Sequence, residues 1–336
     1  MNNLPNLQFE GLPANAGLVL FGIVLLFFGA EWLVKGSVNM ARMFGVSPLI
    51  IGLTIVAFGT SAPELFVGIS LNKEGLTGTA VGNVVGSNIC NILLMLGIAA
   101  AIRPLSVHRQ ILKFDMPVLI VGSFVFGFVV WNHAVSRGEG ALLFAGIVAY
   151  LIACGILVKK GAEPAMLEEF EEEVGETTKP SLVKALIDIG LILIGLVLLV
   201  AGAESLKTGS VAIAEHFGVP QPIIGLTLIA IGTSLPEIAT AIVATIRRHG
   251  DIVVGNAIGS CIFNITAVLG IVVLMKPMAT VDGVSNVDVM VMIAALLIVA
   301  PFMFTRKRLD RLEGIVLLLL YLGYCYYLFL RTNGGA

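Results

Sequence analysis

The sequence predicts an all-α integral membrane protein of ten transmembrane helices, arranged as two inverted five-helix repeats. Three observations predict it. Of 336 residues, 57% are apolar, and only 20 Lys and Arg and 22 Asp and Glu carry formal charge. So little charge cannot cover a water-soluble globule. The chain also divides into apolar runs of membrane-spanning length, and it repeats itself at a constant offset of 173 residues.

A helix needs about 20 apolar residues to cross a hydrocarbon core of about 30 Å. Ten runs meet that length: about 15–40, 46–71, 79–102, 115–135, 139–160, 182–208, 219–246, 252–275, 286–305 and 310–331. The first fifteen residues lack Lys, Arg and a small-residue cleavage pattern, so the first helix is expected to stay in the membrane. Basic loops stay cytoplasmic. The odd connections hold 15 of the 20 Lys and Arg, which predicts both termini outside the cytoplasm. The acidic stretch 161–181, with Glu163, Glu168, Glu169, Glu171, Glu172, Glu173 and Glu176, then becomes a solvated cytoplasmic linker. It separates a first half, 1–160, from a second, 182–336. A multi-pass protein of the cell inner membrane follows.

The repeat aligns 29–46 with 202–219, 50–64 with 223–237 and 81–92 with 254–265 without a gap. The two segments run over about 29–99 and 202–272. Equivalent helices are five spans apart, an odd number, so the copies must cross in opposite directions. Many secondary transporters build a midplane site between two such halves.

Glu64 and Glu237 each lie deep in an apolar span, where a charge costs at least about 2.5 kcal/mol, which marks both as functional candidates. In GTSAPE, Thr60, Ser61 and Glu64 share one helix face. Pro63 lacks an N–H and kinks the chain, which is expected to free carbonyls around Ala57 to Gly59. Thr233, Ser234, Pro236 and Glu237 repeat the device. Asn83, Ser87 and Asn91 form a four-residue ladder, mirrored by Asn256, Ser260 and Asn264. Ser87, Asn91, Ser260 and Asn264 are expected to ligate. Asn83, Asn256 and the small-residue faces of Gly82, Gly86, Gly255 and Gly259 are expected to serve helix packing. Hydroxyls, carbonyls and two carboxylates make an oxygen shell suited to a hard cation such as Ca²⁺ or Na⁺.

Other chemistry finds less support. Glu31 and Glu204, also duplicated, lie beside no hydroxyl ladder and are expected to make a structural or gating hydrogen bond. The four histidines show no ligand spacing, and Cys90, Cys154, Cys261 and Cys325 form no C-x-x-C pair. A net charge of −2 offers nothing to nucleic acid. No Ser–His or paired-Asp constellation points to an enzyme.

GTSAPE with GNVVGSNICNI, and GTSLPE with GNAIGSCIFNI, resemble the two alpha-repeats of the sodium/calcium exchanger family, most closely its prokaryotic members. The resemblance implies alternating access, with the first and sixth helices sliding against the rest. It also implies an ion site lined by Ala57 (carbonyl), Thr60, Ser61, Glu64, Ser87 and Asn91, and by Ala230 (carbonyl), Thr233, Ser234, Glu237, Ser260 and Asn264. The chain departs from the family in carrying Asn at 264, where relatives often carry Asp. Two carboxylates balance one Ca²⁺ but not three Na⁺. The expected activity is exchange of Ca²⁺ for Na⁺, with Ca²⁺/H⁺ exchange as the alternative and a cation channel the weaker competitor. Ca²⁺, Na⁺ and the bilayer are the expected partners, with no resident cofactor and no obligate protein partner.

Overall fold

The structure, a computed structural model, describes residues 11–159, 182–217, 230–281 and 285–334. The linker expected at 161–181 and the start of the span expected at 219–246 lie outside the described residues. In chain order the helices are α1 Leu12–Phe44, α2 Pro48–Lys73, α3 Thr77–Ile102, α4 Ile111–Val130 and α5 Arg137–Lys159. The second half gives α6 Leu182–His216, α7 Leu235–Ile246, α8 Gly250–Met275, α9 Asn286–Arg306 and α10 Arg311–Gly334. Among the described residues nine of these are long and apolar enough to cross a membrane, and α7 is a shorter apolar helix. Large apolar side chains such as Phe66, Phe128, Leu182 and Leu312 stand exposed on the outside, as a lipid-facing surface requires. The chain is a multi-pass membrane protein.

Two helices outrun the sequence expectation. The first ends at Phe44 rather than near 40, where Gly45 at φ 63° supplies a left-handed cap, and α6 ends at His216 rather than near 208. With 33 and 35 residues, each is roughly 50 Å long. They pack tightly against each other. A Cβ on Gly22 would lie 2.8 Å from Gly202 O, and one on Gly29 would lie 2.9 Å from Gly195 O. Low numbers meet high numbers, so the pair is antiparallel. Gly22 and Gly29 are the repeat equivalents of Gly195 and Gly202, so the same two positions meet from both sides, as around a twofold axis. Only glycine permits this backbone approach.

Helices α3 and α8 form the centre, with more buried surface than any other span among the described residues. Cys261 Sγ touches Asn88 O at 3.9 Å, and these are repeat equivalents, so the pseudo-axis passes between α3 and α8. Gly255 and Gly259 serve close packing, as the sequence suggests: their Cβ atoms would lie 2.7 Å from Leu49 O and 2.6 Å from Leu53 O of α2. Short backbone pairings interlock the halves at their ends. Leu105–Ser106 pairs antiparallel with Arg308–Leu309, and the bridge between Val135 and Met278 is the repeat counterpart of that pairing.

Candidate cation-binding site

Helix α2 breaks where its sequence says it must. Ser61, at φ −83° and ψ 1°, ends one helical segment, and Ala62–Lys73 restarts with Pro63 in its first turn. Helix α7 restarts in the same way at Leu235 after Ser234, behind a short turn Ala230–Gly232. Both carboxylates therefore sit in the first turn of a new helix, Glu64 in one and Glu237 in the other. The N–H groups and dipole there favour an anion. Neither carboxylate is exposed at all.

One detail corrects the sequence expectation. Pro63 does not leave the Ala57 carbonyl free: it accepts Ser61 N–H at 3.0 Å and is reached by Thr60 Oγ1 at 3.5 Å. The reason is that Ser61, not Pro63, is the residue four places on, and Ser61 keeps its N–H. In the other half, Ser234 N–H turns to Ile231 O at 3.0 Å.

The facing wall contains widened helical turns at Cys90–Met95 and Asn264–Val268, two of the four π-turns among the described residues. Such turns recur at functional sites because they re-aim side chains and free backbone groups. The turn bearing Asn264 packs on the Glu64 segment of α2, and the turn bearing Asn91 packs on α7, which carries Glu237. Each half thus closes over the acid of the other.

Hydrogen bonds tie the site together within and between the repeats, and one pair of them is matched. Thr60 Oγ1 lies 3.3 Å from Asn256 Oδ1, and Thr233 Oγ1 lies 3.3 Å from Asn83 Oδ1. Ser61 Oγ donates to Glu237 Oε1 at 3.3 Å, and Ser87 Oγ donates to Glu64 Oε1 at 3.4 Å. Ser260 Oγ donates to Asn256 Oδ1 at 3.3 Å. Asn83 and Asn256 are therefore more than packing residues. The ladder spacing was the signal for this, since it puts them on the same helix face as the serines.

Glu64 Oε2, Glu237 Oε2, Asn91 Oδ1 and Asn264 Oδ1 are buried with no hydrogen-bond partner among the described residues, as are the amide nitrogens of Asn91, Asn256 and Asn264. Leaving such an atom unpaired costs about 1–3 kcal/mol, and more when it is charged. Oxygens concentrated in this way suit a hard cation, and the thiols of Cys90 and Cys261 lie near Ser234 and Asn91 at their edge. Of Ala230 only the backbone is described, within its short turn.

The duplicated acids outside this centre diverge. Glu31 receives Arg247 of the α7–α8 connection in a two-pronged pair at 2.7 and 2.9 Å, whereas Glu204 pairs with Lys207 one turn along its own helix.

Comparison with known proteins places this geometry. The sequence profile of the sodium/calcium exchanger protein family matches residues 14–155 and 187–330. The chain belongs to the sodium/calcium exchanger family. It is 40% identical to CaxA of Alkalimonas amylolytica over 93% of this chain and 97% of that one. It is 30% identical to the sodium/calcium exchanger MaX1 of Methanosarcina acetivorans over 95% and 99% of the two chains. A more distant relative, 26% identical over 72% of both chains, is the Ca²⁺/H⁺ antiporter ChaA of Bacillus subtilis. Among solved structures, the sodium-calcium exchanger NCX_Mj superposes with a TM-score of 0.77 at 31% identity, covering 93% of this chain and 97% of that one. The family is one of membrane antiporters, and the fold and relatives together support cation/Ca²⁺ antiport by this member.

Proposed function

We propose that this exchanger-family protein moves Ca²⁺ against Na⁺ by alternating access, through ten spans in two inverted halves, 1–160 and 182–336, joined by a cytoplasmic linker at 161–181. Both termini lie outside the cytoplasm in this proposal, and the membrane is the cell inner membrane. The observation that carries it is the pair of wholly buried carboxylates, Glu64 and Glu237, each with one unpartnered oxygen among hydroxyl and amide oxygens. Ca²⁺ is the cargo. Its ligands are Thr60, Ser61, Glu64, Ser87 and Asn91 with the lone pair of the Ala57 carbonyl that Ser61 N–H does not use, and Thr233, Ser234, Glu237, Ser260 and Asn264 with the Ala230 carbonyl. Two carboxylates neutralise one Ca²⁺, and Na⁺ entering from the other side replaces it on the same oxygens.

Ca²⁺/H⁺ exchange is the second reading. It is favoured by the likeness to ChaA and by Asn rather than Asp at 91 and 264, since two protons on Glu64 and Glu237 would balance one Ca²⁺. Calcium uptake into everted vesicles tests both. Uptake driven by an outward Na⁺ gradient at fixed pH supports the first; uptake driven by a pH gradient without Na⁺ replaces it with the second.

A further inference from the structure

We infer that Asn83 and Asn256 are positioning residues for the cation site: each accepts a hydroxyl proton from the threonine of the opposite repeat and so turns the threonine's lone pairs toward the ion. The inference rests on the site assignment proposed above. A hydroxyl has one proton and two lone pairs, and it ligates a cation only with a lone pair. Its proton must therefore be held elsewhere. For Ser260 that acceptor is Asn256 Oδ1, at 3.3 Å. Thr60 Oγ1 reaches the same oxygen at 3.3 Å, and its one proton has alternative acceptors in Val56 O, nearer at 3.0 Å, and Ala57 O at 3.5 Å. One amide oxygen thus takes the Ser260 proton and competes with Val56 O for the Thr60 proton, the two hydroxyls coming from different repeats.

The amide orientation follows from the mirror pair. Asn83 Nδ2 donates to the Glu64 backbone carbonyl at 3.4 Å, a group that accepts and cannot donate. That leaves Asn83 Oδ1 facing Thr233 Oγ1. Asn256 is the repeat equivalent of Asn83, and its Nδ2 is buried without a partner among the described residues while its oxygen faces the hydroxyls. Turned over, Asn256 would aim N–H groups at Thr60 and Ser260 and occupy the lone pairs the ion needs. The two asparagines also fix which threonine they govern: 256 governs 60, and 83 governs 233.

That pairing makes the test. Equilibrium binding of ⁴⁵Ca²⁺ to the purified full chain is measured for Asn256→Ala, Asn83→Ala, Thr60→Val, Thr233→Val and the four Asn/Thr double variants. Each asparagine variant should weaken binding by about tenfold, on the scale of one lost hydrogen bond in a charged site. Asn256→Ala combined with Thr60→Val should cost clearly less than the product of the two single effects, and likewise Asn83→Ala with Thr233→Val. The crossed combinations should multiply. Leucine replaces alanine where the alanine variant does not fold, and the same criterion applies. Unchanged affinity with a lowered Ca²⁺-free melting temperature, or products that multiply in all four combinations, would overturn the inference. Glu64→Gln and Glu237→Gln measured alongside separate the two failures: only their retention of wild-type binding would count against the site itself.

Discussion

The two halves are copies in sequence but not in packing. Helix α1 lies along α7, and Arg247 beyond its end clasps Glu31. The equivalent of α7 is Ala62–Lys73, and α6 makes no comparable packing against it. Position 74, the equivalent of Arg247, is Glu74, so the mirror pair would set Glu74 against Glu204. The site follows the same division. Thr60 and Asn256 are buried, while their counterparts Thr233 and Asn83 are only half-buried. The α1–α6 pair packs on α7 and makes no comparable packing on Ala62–Lys73. Under the alternating access proposed above, the mirror arrangement is the second state, and the Arg247–Glu31 pair, which has no counterpart at Glu74 and Glu204, favours the present one.

The largest expected effect breaks both halves at once. Glu64→Gln or Glu237→Gln should each reduce calcium flux to a few per cent of wild type at equal membrane abundance, because each removes one of two buried charges facing a divalent ion. Flux above half of wild type in either would mean that the halves do not share one site.

Next comes the hinge between them. Gly202→Ala places a methyl group 2.8 Å from Leu26 N, and should cost about 2–3 kcal/mol of stability. Gly17→Ala on α1 meets nothing within 4 Å and should cost nothing measurable. Thermal unfolding of the two variants in one detergent checks this, and equal midpoints would show that the close α1–α6 crossing is absent in solution.

Asn264→Asp sharpens the comparison by charging one half alone. The exchange is nearly isosteric and raises the formal charge from −2 to −3, so cation affinity should change about tenfold, for about 1.4 kcal/mol of surviving attraction. Calcium flux against Na⁺ concentration should shift accordingly. Superimposable curves would mean that position 264 does not face the ions.

The rim pair should have the smallest effect. Arg247 is about half exposed, so its pair with Glu31 is worth at most about 1 kcal/mol, or fivefold in population. Arg247→Ala should add a second, longer distance between spin labels at Phe44 and Ile246, and Glu74→Arg, which offers Glu204 a partner from the other half besides Lys207, should enlarge it. Identical distance distributions in all three proteins would show that the rim charges do not select between the arrangements.

Much of this was legible in the sequence because it is periodic or duplicated. Span length showed in the apolar runs, and the site acids stood out as charges at membrane depth. The helix breaks were written in Pro63 and Pro236. What escaped depends on neighbours that no local pattern names. The extra turns of α1 and α6 mix polar with apolar residues, so hydropathy alone does not mark where those helices end. The π-turns at Cys90–Met95 and Asn264–Val268 leave no compositional mark. The roles of Asn83 and Asn256 emerge only when the two repeats face each other. Arg247 for Glu74 is a single difference between copies, and it matters because Glu31 is folded against it.

The most direct test of the central claim is a crystal of the wild-type protein grown with Ca²⁺ and measured at a wavelength where calcium scatters anomalously. A strong peak is expected at about 2.3–2.6 Å from a carboxylate oxygen of both Glu64 and Glu237. A calcium peak elsewhere in the membrane region, with none between these two residues, would contradict it.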